Sequence, residues 1–226
     1  WSSWCRRPDK AQAPAQNAGF VRSVFRPSKL AARGCVGYDV PPGNEMRLLL
    51  KAARFAAQKH TKQRRKDEAR SPYINHPLEV AEHLCRVGGV TDEPVLIAAL
   101  LHDTIEDTDT TEDELVQEFG EEVVALVLEC TDDKSLEKRE RKRLQIVNAS
   151  RKSPGAKQIK IADITCNLRS ILEDPPEGWP VARKLEYFQW ASQVVARLKG
   201  TNSSLDEEVD KILELGIQRL TAQNKA

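Results

Sequence analysis

An all-α fold, a bundle of about nine helices, is what these 226 residues predict. Three observations carry that expectation. From Met46 onward, apolar residues recur at helical spacing in one segment after another. The segments open and close on recognisable signals. No alternating β-branched run reaches strand length. The bulk composition agrees: 40% hydrophobic and 31% charged residues describe a globular chain with a well-charged surface, long enough for one well-buried core.

The elements follow in chain order. Residues 1–44 are rich in Arg, Ala, Ser, Pro and Gly, with two acids, Asp9 and Asp39, against seven Lys and Arg. They are expected to be an unstructured leader or translated upstream sequence outside the domain. The composition also suits a targeting leader, although the chain opens on Trp1 and its methionine is Met46. "MRLLLKAARFAAQKH" is the first amphipathic helix. "INHPLEVAEHLCRVGG" has Pro77 in its first turn and stops at Gly88-Gly89. "TDEPVLIAALLHDTIED" is expected as one helix with Thr91 or Asp92 as its N-cap. "TTEDELVQEFG", "EEVVALVLECT" and the charged "SLEKRERKRLQIVNA" come next. "SPGAKQIKIADITCNLRSILED" places Ile161, Ile164, Leu168, Ile171 and Leu172 at helical spacing. "PEGWPVARKLEYFQWASQVVARLKG" and "SSLDEEVDKILELGIQRLTAQ" complete a single domain over 45–226.

Several function classes are disfavoured. A formal charge of +1 provides no whole-molecule field for nucleic acid or a membrane surface, so neither is expected as a partner. No apolar run approaches the roughly 20 residues of a membrane span. The five cysteines, Cys5, Cys35, Cys85, Cys130 and Cys166, are odd in number and contain no C-x-x-C pair. They argue against a disulfide framework and fit a reducing compartment, the cytoplasm, or mitochondria if 1–44 is a targeting leader. Nothing in the sequence selects an oligomeric state.

"ALLHDTIEDTDTTEDEL" is where chemistry enters. His102, Asp103, Glu106 and Asp107 stand in a helix whose other residues, Val95 to Leu101 and Ile105, are apolar. Positions four apart share a helix face, so His102 is expected over Glu106 and Asp103 over Asp107. A helix end emerging into solvent would account for "EDTDTTEDEL" but not for His102-Asp103 directly behind "LIAALL". Two further groups stand out. His76 sits at the mouth of the helix that Pro77 begins, and Asp163 lies on an apolar stripe, where a salt bridge to Lys157 or Lys160 is the alternative reading. Together His76, His102, Asp103 and Asp163 offer two nitrogens and two oxygens on separate helices. That set suits a divalent first-row ion with positions open for water, Mn²⁺ more than a closed Zn²⁺ site. Glu106 and Asp107, just beyond the ligands, are placed to handle protons or orient an attacking water. The reaction class is metal-assisted phosphate ester hydrolysis. His60 and His83 lack partners at suggestive spacing and are read as surface or structural.

"INHP", "ALLHDTIEDTDT" and "KIADITCNLR", in this order, resemble the HD-domain hydrolases of the RelA/SpoT type, and among them the small alarmone hydrolases of animals, the metazoan SpoT homologues. The resemblance extends over "HTKQRRKD", "TDDKSLEKRERKRLQ", "SPGAK" and "EGWPVARKLEYFQWASQVV". It implies an all-α HD-domain fold and one Mn²⁺ held by His76, His102, Asp103 and Asp163. It implies hydrolysis of ppGpp to GDP and pyrophosphate, with Glu106 and Asp107 as the catalytic acids. No synthetase activity is expected. NADPH, cleaved at its 2′-phosphate, is a second substrate that the resemblance implies; a catalytically silent nucleotide binder is a rival reading. For the substrate, the resemblance points to Arg65 and Lys66 in "HTKQRRKD", to Tyr73, and to Asn167, four residues after Asp163. Tyr187 in "EYFQW" is a candidate for base or ribose contact, with core packing as its alternative. The run "EKRERKR" reads as a charged helix surface or a rim of the cleft. The sequence departs from the family's "ADKLYNLR" with Ile164, Thr165 and Cys166, which leaves Asp163 and Asn167 intact and bears on cleft packing, substrate preference or rate.

Overall fold

The computed structural model describes residues 44–225. The expected leader, with Cys5 and Cys35, therefore lies outside the described residues except for Asn44. Among the described residues there are ten α-helices and one 3₁₀ turn: α1 (Asn44–Lys59), α2 (Asn75–Arg86), α3 (Glu93–Leu101), α4 (Thr104–Asp107), α5 (Glu112–Phe119), α6 (Glu121–Cys130), α7 (Lys138–Asn148), the 3₁₀ turn Ala149–Arg151, α8 (Pro154–Glu173), α9 (Val181–Leu198) and α10 (Ser203–Lys225). The only extended pairing among them is an isolated antiparallel bridge between Arg64 and Pro72 in the α1–α2 loop. None of the helices is long and apolar enough to cross a membrane.

The cap chemistry is local and readable. Asp92 caps α3, accepting from the Val95 N–H; Thr111 caps α5 from Glu114; Ser153 caps α8 from Ala156. Pro154 opens α8 at a position where its missing N–H has no cost. Gly120, at φ +86°, ends α5 and begins α6 in a backbone conformation that an L side chain rarely adopts.

The helix expected across Glu93–Asp107 is broken at His102-Asp103, which is why ten helices appear where about nine are expected. The break has a physical reason. The His102 Nδ1–H donates to the Ala99 carbonyl at 2.7 Å, and the Thr104 hydroxyl donates to the Leu101 carbonyl at 2.7 Å. Side chains thus satisfy carbonyls that would otherwise continue the ladder. The chain turns there, and α4 follows as a single helical turn.

Two helices form the centre. Every residue of α3 from Val95 to Leu101 is buried, and α3 packs against α1, α2, α6 and α8. In α8 every residue from Ile159 to Leu168 is buried, against α2, α6, α9 and α10. A helix apolar all round belongs in a core. The polar exceptions on these two helices, Lys160, Asp163, Thr165 and Asn167, therefore stand out. Ile164, Thr165 and Cys166 are all within the core, and Thr165 donates to the Ile161 carbonyl at 2.7 Å.

Candidate active site

His76 in the first turn of α2, His102 at the end of α3, Asp103 after it and Asp163 in mid-α8 meet at one point, all buried. His76 Nε2 and Asp163 Oδ1 are 3.1 Å apart, His102 Nε2 and Asp103 Oδ2 3.1 Å, and His102 Nε2 and Asp163 Oδ1 4.0 Å. Ligand atoms of His76, His102 and Asp103 all lie within 4.8 Å of one another. Because His102 gives its Nδ1–H to Ala99, its Nε2 is left as a buried atom with no hydrogen-bond partner, facing two carboxylates. A lone pair turned toward carboxylates is repulsive unless a cation stands between them.

The electrostatics carry the same demand. Burial lowers His102, but without a metal ion between them Asp103 and Asp163 outweigh it and raise the imidazole to about 9, a proton on Nε2 then supplying the positive charge that the two carboxylates require. Burial pushes both aspartates up, yet their cationic neighbours win: His102 holds Asp103 below its usual range, and Lys160 holds Asp163 well below. His76, by contrast, is lowered to about 4 by burial and by the Arg65 guanidinium.

The candidate ligand atoms are held from behind. The Tyr73 hydroxyl donates to Asp103 Oδ2 at 2.5 Å. Lys160 Nζ donates to Asp163 Oδ2 at 2.9 Å, and Asn167 Nδ2 donates to Asp163 Oδ1 at 2.7 Å. The salt bridge foreseen as an alternative for Asp163 is thus present, through Lys160 and not Lys157, within the same cluster as the histidines. Tyr73 and Asn167, expected near the nucleotide, commit these atoms to the ligand carboxylates.

Glu106 and Asp107 lie beside this cluster with side chains only 2% and 4% exposed. Glu106 Oε2 accepts from the Asp132 backbone N–H at 3.1 Å, and its Oε1 is 3.9 Å from Arg141. Asp107 Oδ2 accepts from Gln63 Nε2 at 2.8 Å, and its Oδ1 pairs with Lys134. Burial and the charge of Asp103 push the Asp107 carboxyl up to about 6. Arg141 also lines a cleft of about 240 Å³ with Asp132, Gln145 and Lys152, while Glu137, Lys138, Arg139 and Arg143 of the charged run are exposed.

The basic loop divides. Lys62 and Arg64 are exposed, with Arg64 bonded to the Thr61 and Gln63 carbonyls. Arg65 turns inward, donates to Ser170 Oγ at 2.9 Å, and lies close enough to His76 to shift it. Lys66 is half-buried beside it. Tyr187 is buried between Trp179 and Trp190, ring centroids 6.4 and 5.3 Å away, so its ring packs in the core. His60 and His83 are buried, which removes the surface reading for both and leaves the structural one. Sequence reasoning did not single out Gln63, Lys134 or Arg141. Gln63 had a weak signal, its position three residues after His60; the other two meet the acids only across the fold.

Comparison with known proteins agrees with this picture. A family model described as HD domain matches residues 52–198. The guanosine-3′,5′-bis(diphosphate) 3′-pyrophosphohydrolase MESH1 of Homo sapiens is 55% identical over 172 residues, covering 76% of this chain and 96% of that protein. The protein of the same name from Drosophila melanogaster is 49% identical over 163 residues, covering 72% of this chain and 91% of that one. A solved structure, described as a metazoan ortholog of SpoT that hydrolyzes ppGpp and plays a role in starvation responses, is similar with a TM-score of 0.73 and 48% identity, over 74% of this chain and 94% of that one. The chain belongs to the HD domain family, in the group of the metazoan SpoT-type proteins.

Proposed function

We propose that this chain is a manganese-dependent 3′-pyrophosphohydrolase of ppGpp, with residues 45–226 as its phosphohydrolase domain. The observation that carries the reading is the buried, unpartnered His102 Nε2, turned toward Asp103 and Asp163 with His76 alongside. Such a cluster is stable only around positive charge, and its donor set of two imidazoles and two carboxylates suits Mn²⁺. His76, His102, Asp103 and Asp163 would hold it. When bound, the ion supplies a Lewis acid for the phosphoryl oxygen and a water that is nucleophilic near neutral pH.

The protein's own groups supply the rest. Asp107, pushed up to about 6, is matched to taking the attacking water's proton near neutral pH. Glu106, fixed by the Asp132 N–H with Arg141 nearby, orients that water from the adjoining position. Water attacks the ribose-proximal phosphorus of the 3′-diphosphate, the bond from that phosphorus to the 3′ oxygen breaks, and the 3′ oxygen takes up a proton. The products are GDP and pyrophosphate. Arg65 and Lys66 are the cations for the substrate's phosphates, while Tyr73 and Asn167 keep Asp103 and Asp163 oriented at the edge of the substrate's site. Relatives at 49% and 55% identity bear this activity in their names, which supports the choice of substrate.

Product analysis tests it. The full chain with Mn²⁺ is offered ppGpp and NADPH in parallel, with an EDTA control. GDP and pyrophosphate should form much faster than phosphate from NADPH, and EDTA should stop both. Dominant phosphate release from NADPH would move the function to the dinucleotide; bound manganese with neither product would leave a silent binder.

A further inference from the structure

One residue outside the ligand set and the acid pair bonds to Asp107 directly and is joined to the Asp103 side of the cluster through Tyr73. Gln63 Nε2 donates to Asp107 Oδ2 at 2.8 Å, and Gln63 Oε1 lies 2.6 Å from His60 Nδ1. A carboxylate only accepts, so the amide must present its nitrogen to Asp107 and its oxygen to His60. His60 must then carry its proton on Nδ1 and donate it. The imidazole is buried, and burial lowers it from its ordinary value, which keeps it neutral. Its ring packs on Tyr73 with centroids 4.9 Å apart. The Gln63 backbone closes the arrangement: its N–H donates to the His60 carbonyl at 2.9 Å, and its carbonyl accepts the Tyr73 N–H at 3.2 Å. Tyr73 in turn holds Asp103.

We propose that Gln63, oriented by His60, is a positioning residue for the hydrolysis: its amide fixes Asp107 relative to the Asp103 side of the metal cluster. The inference rests on the proposed role of Asp107. Without the amide, Asp107 keeps only Lys134 as a side-chain partner among the hydrogen bonds described, and that lysine is 40% exposed on a long flexible stem. The carboxylate would then sample orientations in which it no longer faces the water, and misplacing a reacting group by about 1 Å lowers turnover by roughly a hundredfold.

Gln63→Met keeps the length and removes the amide; Gln63→Glu keeps the shape and replaces the donor with an acceptor that repels Asp107. Both are compared with Asp107→Asn in the full manganese-loaded chain, reading kcat and KM for ppGpp, bound manganese and melting temperature. The expected result is a kcat lowered roughly 10- to 100-fold in both Gln63 variants, with KM and bound manganese within twofold of the parent and Asp107→Asn inactive. Unchanged kcat in both Gln63 variants, with Asp107→Asn inactive, overturns the inference alone. Loss of manganese or a rise in KM that parallels the fall in kcat also overturns it, since Gln63 would then be structural. Full turnover by Asp107→Asn overturns the role of Asp107 and the inference with it.

Discussion

His83 is fully buried on α2, in the field of Arg169 of α8 and Arg86, with neither ring nitrogen hydrogen-bonded. Burial first and those cations second lower it from 6.5 to about 4. The sign of the consequence is fixed. Between pH 6.5 and 4 the unfolded chain takes a proton that the folded chain refuses, so this stability is complete above 6.5 and is lost as pH falls toward 4. His60 is shifted in the same direction. Urea melts of the chelated protein should show stability falling by up to about 3 kcal/mol for His83 across that window, with a shallower fall in His83→Leu; an unchanged slope in that variant would contradict the assignment. Residues of this kind mark what the sequence makes legible. His102, Asp103 and Asp163 stand out because they are ionisable groups on otherwise apolar helical stretches, and His76 because it stands at the helix mouth before Pro77. Gln63, Lys134 and Arg141 do not, because they sit in polar stretches and acquire meaning only when the chain brings Asp107 and Glu106 to them.

Most elements were readable from their ends. Asp92, Thr111 and Ser153 are caps, Pro77 and Pro154 lie in first turns, and most helices fall within the segments their periodicity marks. The break between α3 and α4 was not readable, because apolar spacing continues through it; side-chain bonds to Ala99 and Leu101, which leave no periodic trace, decide it. Closely packed helix pairs also escape a one-chain pattern. Gly216 of α10 faces Phe188 of α9 so closely that a Cβ there would lie 2.0 Å from its ring. Phe188 is wholly buried and cannot swing away. Gly216→Ala should therefore destabilise the protein by about 1–3 kcal/mol, seen as a lower melting temperature with bound manganese unchanged. A melting temperature equal to the parent's would mean that α9 and α10 separate more easily than their packing indicates.

Across the whole molecule, the two helices that fill the centre also carry most of the candidate site. The end of α3 supplies His102 and Asp103, the middle of α8 supplies Asp163, and α2, packed on both, supplies His76. A core built on α3 and α8 thus fixes the four candidate ligand side chains, while Glu106 and Asp107 follow on the short α4 at its edge. Manganese content is the measurement that reaches this account most directly, taken on the parent, His102→Ala and Glu106→Ala after gel filtration, with GDP release from ppGpp recorded on the same samples. Stoichiometric manganese in the parent and in Glu106→Ala, little in His102→Ala, and GDP release by the parent alone is the predicted result. A His102→Ala chain that keeps both its manganese and its turnover would contradict it.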